Sequence, residues 1–408
     1  MAADSQRLPG TFSSSRINQQ QAVGSPQAVD QDVKSEQRIS SELARPYSVG
    51  IAPTHTTPGS PPPPPPPERP RVRWNIRSPY AQTLPQRLWL ANDFLIVRLL
   101  EQGSEGKVYL VKHRETGEVV ALKKLEAPAP CRNVFDLPEE CLFQLNNIPL
   151  HRHIVFMSQV DIDKEARVWQ CMQFCNGGDL LDFCERTRAK RMDDTTRMIF
   201  ALHVFIQLGE ALAFLHYGLK RNPTNGRWTV HADYKAPILH SDVKPENVML
   251  HFDDTNEFGL PDIRLGDFGH AAWADKPHHI AGSPSFYSPE AKAHDEGREG
   301  PPMQMASDVY TFGLTMHYLV TGRRFSPAAP TRKLKLPRPY DEMDMTRAIR
   351  WCLNLNPNAR PKMNCSGLLR CVDHAYRERS QLHSRMGHLG YFWWLSWCSE
   401  ALKAEREA

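Results

Sequence analysis

The stretch that most constrains this chain is His240-Ser241-Asp242-Val243-Lys244-Pro245-Glu246-Asn247, set between the apolar pair Ile238-Leu239 and the apolar run Val248-Met249-Leu250. An Asp, a Lys two residues on and an Asn five residues on suit one task, the transfer of a phosphoryl group to a hydroxyl. In such a loop Asp242 would accept the hydroxyl proton, Lys244 would neutralise charge on the moving phosphate and Asn247 would hold a magnesium ion. A simple polar turn between two strands would use the same residue types. The decision rests on the rest of the chain.

Upstream, Phe94-Leu95-Ile96-Val97-Arg98-Leu99-Leu100, Val108-Tyr109-Leu110-Val111 and Val119-Val120-Ala121-Leu122-Lys123 read as strands, with Thr116-Gly117-Glu118 turning between the last two. Glu101-Gln102-Gly103-Ser104-Glu105-Gly106-Lys107-Val108 joins the first pair. A glycine-bearing hairpin can lay backbone amides over phosphates because no β-carbon blocks the approach, although glycines in a hairpin also serve plain turn chemistry. Lys123 follows Gly106 by 17 residues, on the third strand, within reach of such phosphates. Its buried amine needs a counter-charge. The helix start Asp136-Leu137-Pro138-Glu139-Glu140-Cys141 offers Glu139 and Glu140, and spacing alone does not choose between them.

Val168 to Phe174 reads as a buried strand, followed by the joint Cys175-Asn176-Gly177-Gly178-Asp179, expected to be flexible, and a new helix. Met198 to His216 is a long apolar helix interrupted by His203, Gln207 and Glu210, which favours a buried helix over a membrane span. Polar inserts occupy 218–236 and 253–262 and carry no interpretable motif. Beyond the second, Ile263-Arg264-Leu265-Gly266-Asp267-Phe268-Gly269 ends a strand on an Asp 25 residues past Asp242, able to bring a second carboxylate beside the metal.

Composition narrows the field. A formal charge of +4 is too mild to make nucleic acid or an anionic membrane the main partner. The nine cysteines form no CxxC pair, so neither a disulfide framework nor a zinc knuckle is indicated, and free thiols in a reducing, intracellular compartment are expected. Residues 1–85 hold 15 of the 34 prolines and read as a disordered arm. Its run Pro61 to Pro67 is a stiff spacer or a docking segment for a proline-recognising module.

Taken together, these segments resemble the eukaryotic protein kinase family from about Phe94 to Tyr376. Gly103 and Gly106 match the second and third glycines of the phosphate loop, Val120-Ala121-Leu122-Lys123 the lysine strand, Asp242 to Asn247 the catalytic loop and Asp267-Phe268-Gly269 the metal-binding motif. Ser288-Pro289-Glu290, Asp308-Val309-Tyr310-Thr311-Phe312-Gly313 and Asn356-Pro357-Asn358-Ala359-Arg360-Pro361 match three further family segments, the last supplying an Arg that pairs with the Glu of the first.

The resemblance implies an α+β fold of two lobes, a small sheet-rich lobe at 94–174 and a mainly helical lobe at 179–376, with a helical, aromatic-containing tail at 377–408. It implies ATP and Mg2+ as cofactors and serine or threonine hydroxyls of proteins as substrates; the alternative is a catalytically inactive scaffold. Gly103, Gly106, Val108, Ala121, Lys123, Met172 (as gatekeeper), Gln173, Cys175 and Asp179 would surround the nucleotide, and Asn247 and Asp267 would bind the metal. Catalysis would fall to Asp242, Lys244, Lys123 and Glu140 or Glu139. Three positions depart from the pattern: Glu101 replaces the first glycine, Ser241 replaces the Arg before the catalytic Asp, and Ser283 replaces a Thr. The aromatic cluster Tyr391 to Trp397 is expected to pack on the large lobe.

Overall fold

The structure is a computed structural model that describes residues 94–103, 106–125, 137, 139–163, 166–189, 192–253, 256–276, 282–326 and 334–386, except the side chains at 139, 140, 142, 188, 189 and 257. The proline-rich arm, Ser104, Glu105 and the cluster Tyr391 to Trp397 lie outside the described residues.

Five antiparallel strands form the first lobe in the order β1-β2-β3-β5-β4: β1 (Phe94–Gly103), β2 (Gly106–His113), β3 (Val119–Leu125), β4 (Met157–Ile162) and β5 (Val168–Gln173). Alternation gives the sheet two apolar faces. Phe94, Val111, Val120, Leu122 and Cys171 pack with Tyr109 and Trp169 on one side. On the other, Leu125 and Val168 meet Cys141 of helix α1 (Glu139–Asn147). Further along the same helix Phe143 and Gln144 are also buried, and the Gln144 amide donates to the Val155 carbonyl at 3.0 Å.

The second lobe is built on α3 (Asp194–Tyr217), preceded by α2 (Leu180–Ala189). Asp193 caps α3 through a 2.9 Å bond from the Thr196 amide, and Gly218, at φ 66°, ends it. This is the one described helix long and apolar enough to cross a membrane, and it is buried in the fold. The three polar residues that interrupt its apolar run have protein partners: His203 meets the Pro261 carbonyl at 2.9 Å, Gln207 accepts from the Ile263 amide at 2.7 Å, and Glu210 accepts from the Tyr376 hydroxyl at 2.6 Å. Helices α5 (Met305–Thr321) and α7 (Leu369–Met386) pack on it, α4 (Pro289–Asp295) lies on α5, and α6 (Asp344–Cys352) packs on both α5 and α7. The last helix runs unbroken past Tyr376, so the expected domain edge at 376 falls inside it.

Both inserts have structure that their composition did not announce. Within 218–236 the chain makes a hairpin of β6 (Leu219–Arg221) and β7 (Trp228–Val230). The second insert holds a tight turn at Glu257–Gly259 with Phe258 at φ 58°. Catalytic-loop flanks β8 (Ile238–Leu239) and β9 (Val248–His251) pair with β11 (Ala272–Trp273) and β10 (Asp262–Leu265) respectively.

The joint between lobes is also tighter than its glycines suggest. Asn176 donates to the Phe252 carbonyl at 3.0 Å and accepts from the Phe252 amide at 2.8 Å. Gly177 donates to the Leu250 carbonyl at 2.9 Å, and Gly178 accepts from the Leu250 amide at 2.8 Å. Only glycine fits at 177, because a β-carbon there would stand 2.8 Å from Leu250.

Candidate active site

Sheet register assembles the proposed nucleotide face. Val108 pairs directly with Lys123, and Ala121, two residues from Lys123, pairs with Met172, so these four side chains share one face. The two glycines of the hairpin do different work. Gly106, at φ 146°, is imposed by packing, since a β-carbon would lie 2.0 Å from the Lys124 carbonyl oxygen. Gly103 has open space in the same test, its nearest neighbour being Glu101 Oε1 at 4.0 Å, which leaves its backbone approachable.

At the joint, the Gln173 amide donates to the Phe156 carbonyl at 2.8 Å and the Gln173 side chain accepts from Arg264. Burial pushes the Cys175 thiol up to about 12, more than Arg264 lowers it, so the sulfur is a neutral thiol at neutral pH. Asp179 caps α2 through a 2.8 Å bond from the Asp182 amide. Burial, helped by the charges of Asp182 and Glu246, raises its carboxyl to about 6 against those cap bonds.

Lys123 Nζ lies 3.3 Å from Asp267 Oδ1, so the lysine strand and the strand-end Asp meet across the lobes. Burial works against ionisation of Asp267, but the Lys123 charge and hydrogen bond outweigh it and hold the carboxyl below its ordinary range. Asp267 has φ 57°, a left-handed conformation that turns the chain sharply after β10. The side chains of Glu139 and Glu140 lie outside the described residues.

In the catalytic loop Asp242 is 4% exposed and surrounded by donors. Oδ2 takes Lys244 Nζ at 2.8 Å and Asn247 Nδ2 at 3.0 Å, while Oδ1 takes the Ser283 amide at 2.9 Å. Lys244 Nζ also donates to Ser283 Oγ at 2.6 Å, which joins the loop to the segment ahead of α4. Burial opposes the charge on Lys244, yet its bond to Asp242 raises its affinity for the proton overall. The loop itself hangs on Asp308 of α5: Oδ2 accepts from the His240 amide and Oδ1 from the Ser241 amide, both at 2.8 Å. His216 of α3 adds a 2.9 Å bond to Oδ2, and together these partners overcome burial to keep Asp308 ionised.

Oxygen donors for a hard cation are available. Asn247 spends its amide on the Asp242 carbonyl and carboxylate, and among the described residues Asn247 Oδ1 and Asp267 Oδ2 make no hydrogen bond. Such a pair fits a magnesium ion that completes its shell with phosphate and water.

Ser241 sits at φ 67° and 3% exposure, with no partner for its Oγ. Elsewhere, Glu290 and Arg360 form the expected buried pair, with Arg360 Nη1 2.6 Å and Nη2 2.9 Å from the carboxylate. Sequence reasoning missed Gly282 and His216. The signal for Gly282 was its place immediately before Ser283; a lone His at a helix end carried none.

The family model for the protein kinase domain matches residues 94–377. An Aurora kinase of Yarrowia lipolytica is 26% identical over 298 residues, 70% of each chain. The probable serine/threonine-protein kinase nek2 of Dictyostelium discoideum is 28% identical over 294 residues, 67% of this chain and 61% of its own. A serine/threonine-protein kinase of Drosophila erecta is 25% identical over 237 residues, 57% of this chain but 27% of its own, so the chain spans only part of most relatives it matches. The match to the family model covers well over half of the sequence, and the chain belongs to the protein kinase domain family.

Proposed function

We propose that the protein transfers the γ-phosphoryl group of ATP, with magnesium, to serine or threonine hydroxyls of protein substrates. The observation that carries this reading is the triangle of Asp242, Lys244 and Ser283, closed by bonds of 2.8, 2.6 and 2.9 Å. Asp242 is the general base, held in one orientation by Asn247 and Lys244, so that it can take the hydroxyl proton. Lys244, kept charged by Asp242, balances negative charge on the transferred group. Lys123, Gly103 and the face of Val108, Ala121 and Met172 orient the nucleotide, with Gln173 and Cys175 contributing backbone groups and Asp179 lying toward the ribose. Asn247 and Asp267 hold the metal ion, whose chemistry is to neutralise phosphate charge. The serine/threonine assignment is supported by Lys244, a residue that tyrosine-directed members of the family usually lack at that offset, and by the names of the relatives.

The domain proposed for this reaction spans about 94–376, preceded by the proline-rich arm. Incubation with labelled ATP and an arrayed peptide library tests the proposal, with Asp242→Asn as the control. The variant should keep its fold and nucleotide binding while turnover falls by roughly 10²-fold or more, since a positioned general base contributes on the order of 10²–10⁴. Equal incorporation by both proteins would remove Asp242 from catalysis, and no incorporation by the parent would favour a scaffold.

A further inference from the structure

The two inserts and the C-terminal helix converge on a polar cluster that is partly buried. From the first insert, Arg221 Nε donates to Asp373 of α7 at 3.1 Å and its guanidinium lies 3.9 Å over the Tyr376 ring; Trp228 Nε1 reaches the same carboxylate at 3.3 Å. From the second, the Phe258 ring lies tilted with its centroid 4.0 Å from that of His383 and 5.0 Å from the guanidinium of Arg379, which is 1% exposed. Arg379 in turn meets His203 Nδ1 at 2.6 Å, and His203 Nε2 meets the Pro261 carbonyl at 2.9 Å. With Nε2 donating to that carbonyl, Nδ1 is the acceptor that Arg379 requires. Helix α7 is thus clamped at both ends against α3.

What the clamp delivers is the Tyr376 hydroxyl, which donates to Glu210 Oε1 at 2.6 Å. The other oxygen of Glu210 lies 3.2 Å from His153 Nε2, an ion-pair distance without hydrogen-bond alignment, and His153 Nδ1 lies 3.1 Å from the Ile263 carbonyl. Burial would neutralise Glu210, but His153 and Tyr376 outweigh it and keep the carboxylate charged. His153 also grips the same strand by its backbone, accepting from the Leu265 amide at 2.9 Å, while the Val155 amide donates to the Leu265 carbonyl at 2.9 Å. Strand β10 ends at Leu265, two residues before Asp267. His153 is 1% and Glu210 5% exposed, so water does not substitute for either partner.

We propose that Tyr376 is a positioning residue for Asp267, acting through Glu210, His153 and β10, and that the two inserts exist to hold α7 in the register this requires. The inference rests on the reading of Asp267 as a metal ligand. Loss of the phenol hydroxyl loosens the far end of a strand whose near end must place a carboxylate on a magnesium ion, and metal affinity is sensitive to such outer support.

The test is a magnesium titration of the full-length protein at fixed concentration of a fluorescent ATP analogue, read by nucleotide binding and, in parallel, by peptide phosphorylation. Y376F should raise the magnesium midpoint by about threefold to tenfold in both readouts, as coupling through packed networks typically allows. H374Q, which removes the 2.8 Å contact from the same helix to Asp344, should leave the midpoint where it is. If Y376F does not fold, E210Q carries the same expectation as Y376F. An unchanged midpoint in Y376F, or an equal shift in H374Q, would overturn the proposal. Absence of any magnesium-dependent binding in the parent would instead overturn the metal-ligand reading itself, and this inference with it.

Discussion

Gly282 passes so close to Asp242 that a β-carbon there would stand 2.8 Å from the carboxylate oxygen Oδ1 and 2.7 Å from the Ser241 carbonyl oxygen. Its φ of 95° adds a conformation that other residues rarely adopt. Gly282→Ala must therefore displace either the carboxylate or the segment that carries Ser283. Turnover should fall by about 10²-fold, as misplacement of a reacting group by an ångström commonly costs. Affinity for nucleotide, whose proposed lining includes neither residue, should be retained; steady-state kinetics beside a binding titration separates the two.

We propose Glu140 as the partner of Lys123 on α1. Position 140 precedes both Phe143, by three residues, and Gln144, by four, and these two are buried. Glu140→Gln should then reduce kcat/KM more than Glu139→Gln, by about tenfold for loss of one charge-assisted bond. A larger loss from Glu139→Gln would reverse the assignment.

Asp179 gives a pH-dependent expectation. Its carboxyl titrates at about 6 when folded and near 3.8 when exposed, so the folded state holds its proton more tightly. The associated stability is present below pH 4, is lost as pH rises toward 6, and above that the buried charge is a standing penalty. Asn caps a helix as well as Asp does. Asp179→Asn should thus raise the melting temperature at pH 7.5, raise it by about half as much at pH 5 and leave it nearly unchanged near pH 3, with the gain moderated because the side chain is partly solvated. If the carboxylate also meets the ribose, affinity for ATP should drop in the same variant.

Ser241 leads to an expectation about control. An Arg at this position presents a buried cation that a phosphate on the following segment can satisfy. Here the side chain is a neutral hydroxyl without a partner, and residues 270–282 contain no Ser, Thr or Tyr. Phosphatase treatment of the purified protein should therefore leave its rate within about threefold, whereas loss of one well-placed charge-assisted interaction would exceed that. Mass spectrometry showing activity that tracks a phosphate between Gly269 and Glu290 would refute the expectation.

The sheet lobe was legible because period-two alternation and the turn at Thr116-Gly117-Glu118 are local signals, and the clustering of the candidate catalytic residues because their spacing is fixed by a short loop. Asp242, Lys244 and Asn247 converge for that reason. The separate duties of Gly103 and Gly106 were not legible: what distinguishes them is the approach of the Lys124 carbonyl from another strand. The inserts were opaque for a related cause. Arg221, Trp228 and Phe258 look like ordinary loop residues until α7, more than a hundred residues later in the chain, supplies Asp373, Tyr376 and Arg379 as their partners.

The bonds of Asn176, Gly177 and Gly178 to Leu250 of β9 and the adjoining Phe252 bear on how the lobes can move. Four main-chain and side-chain links, each between 2.8 and 3.0 Å, make the second half of the joint an extension of the large lobe. Any opening of the cleft must then bend the chain within Gln173 to Cys175, ahead of the anchor, the stretch proposed to line the adenine. A nucleotide seated there would grip the pivot itself, so occupancy of the cleft and the freedom of the two lobes to separate become one variable.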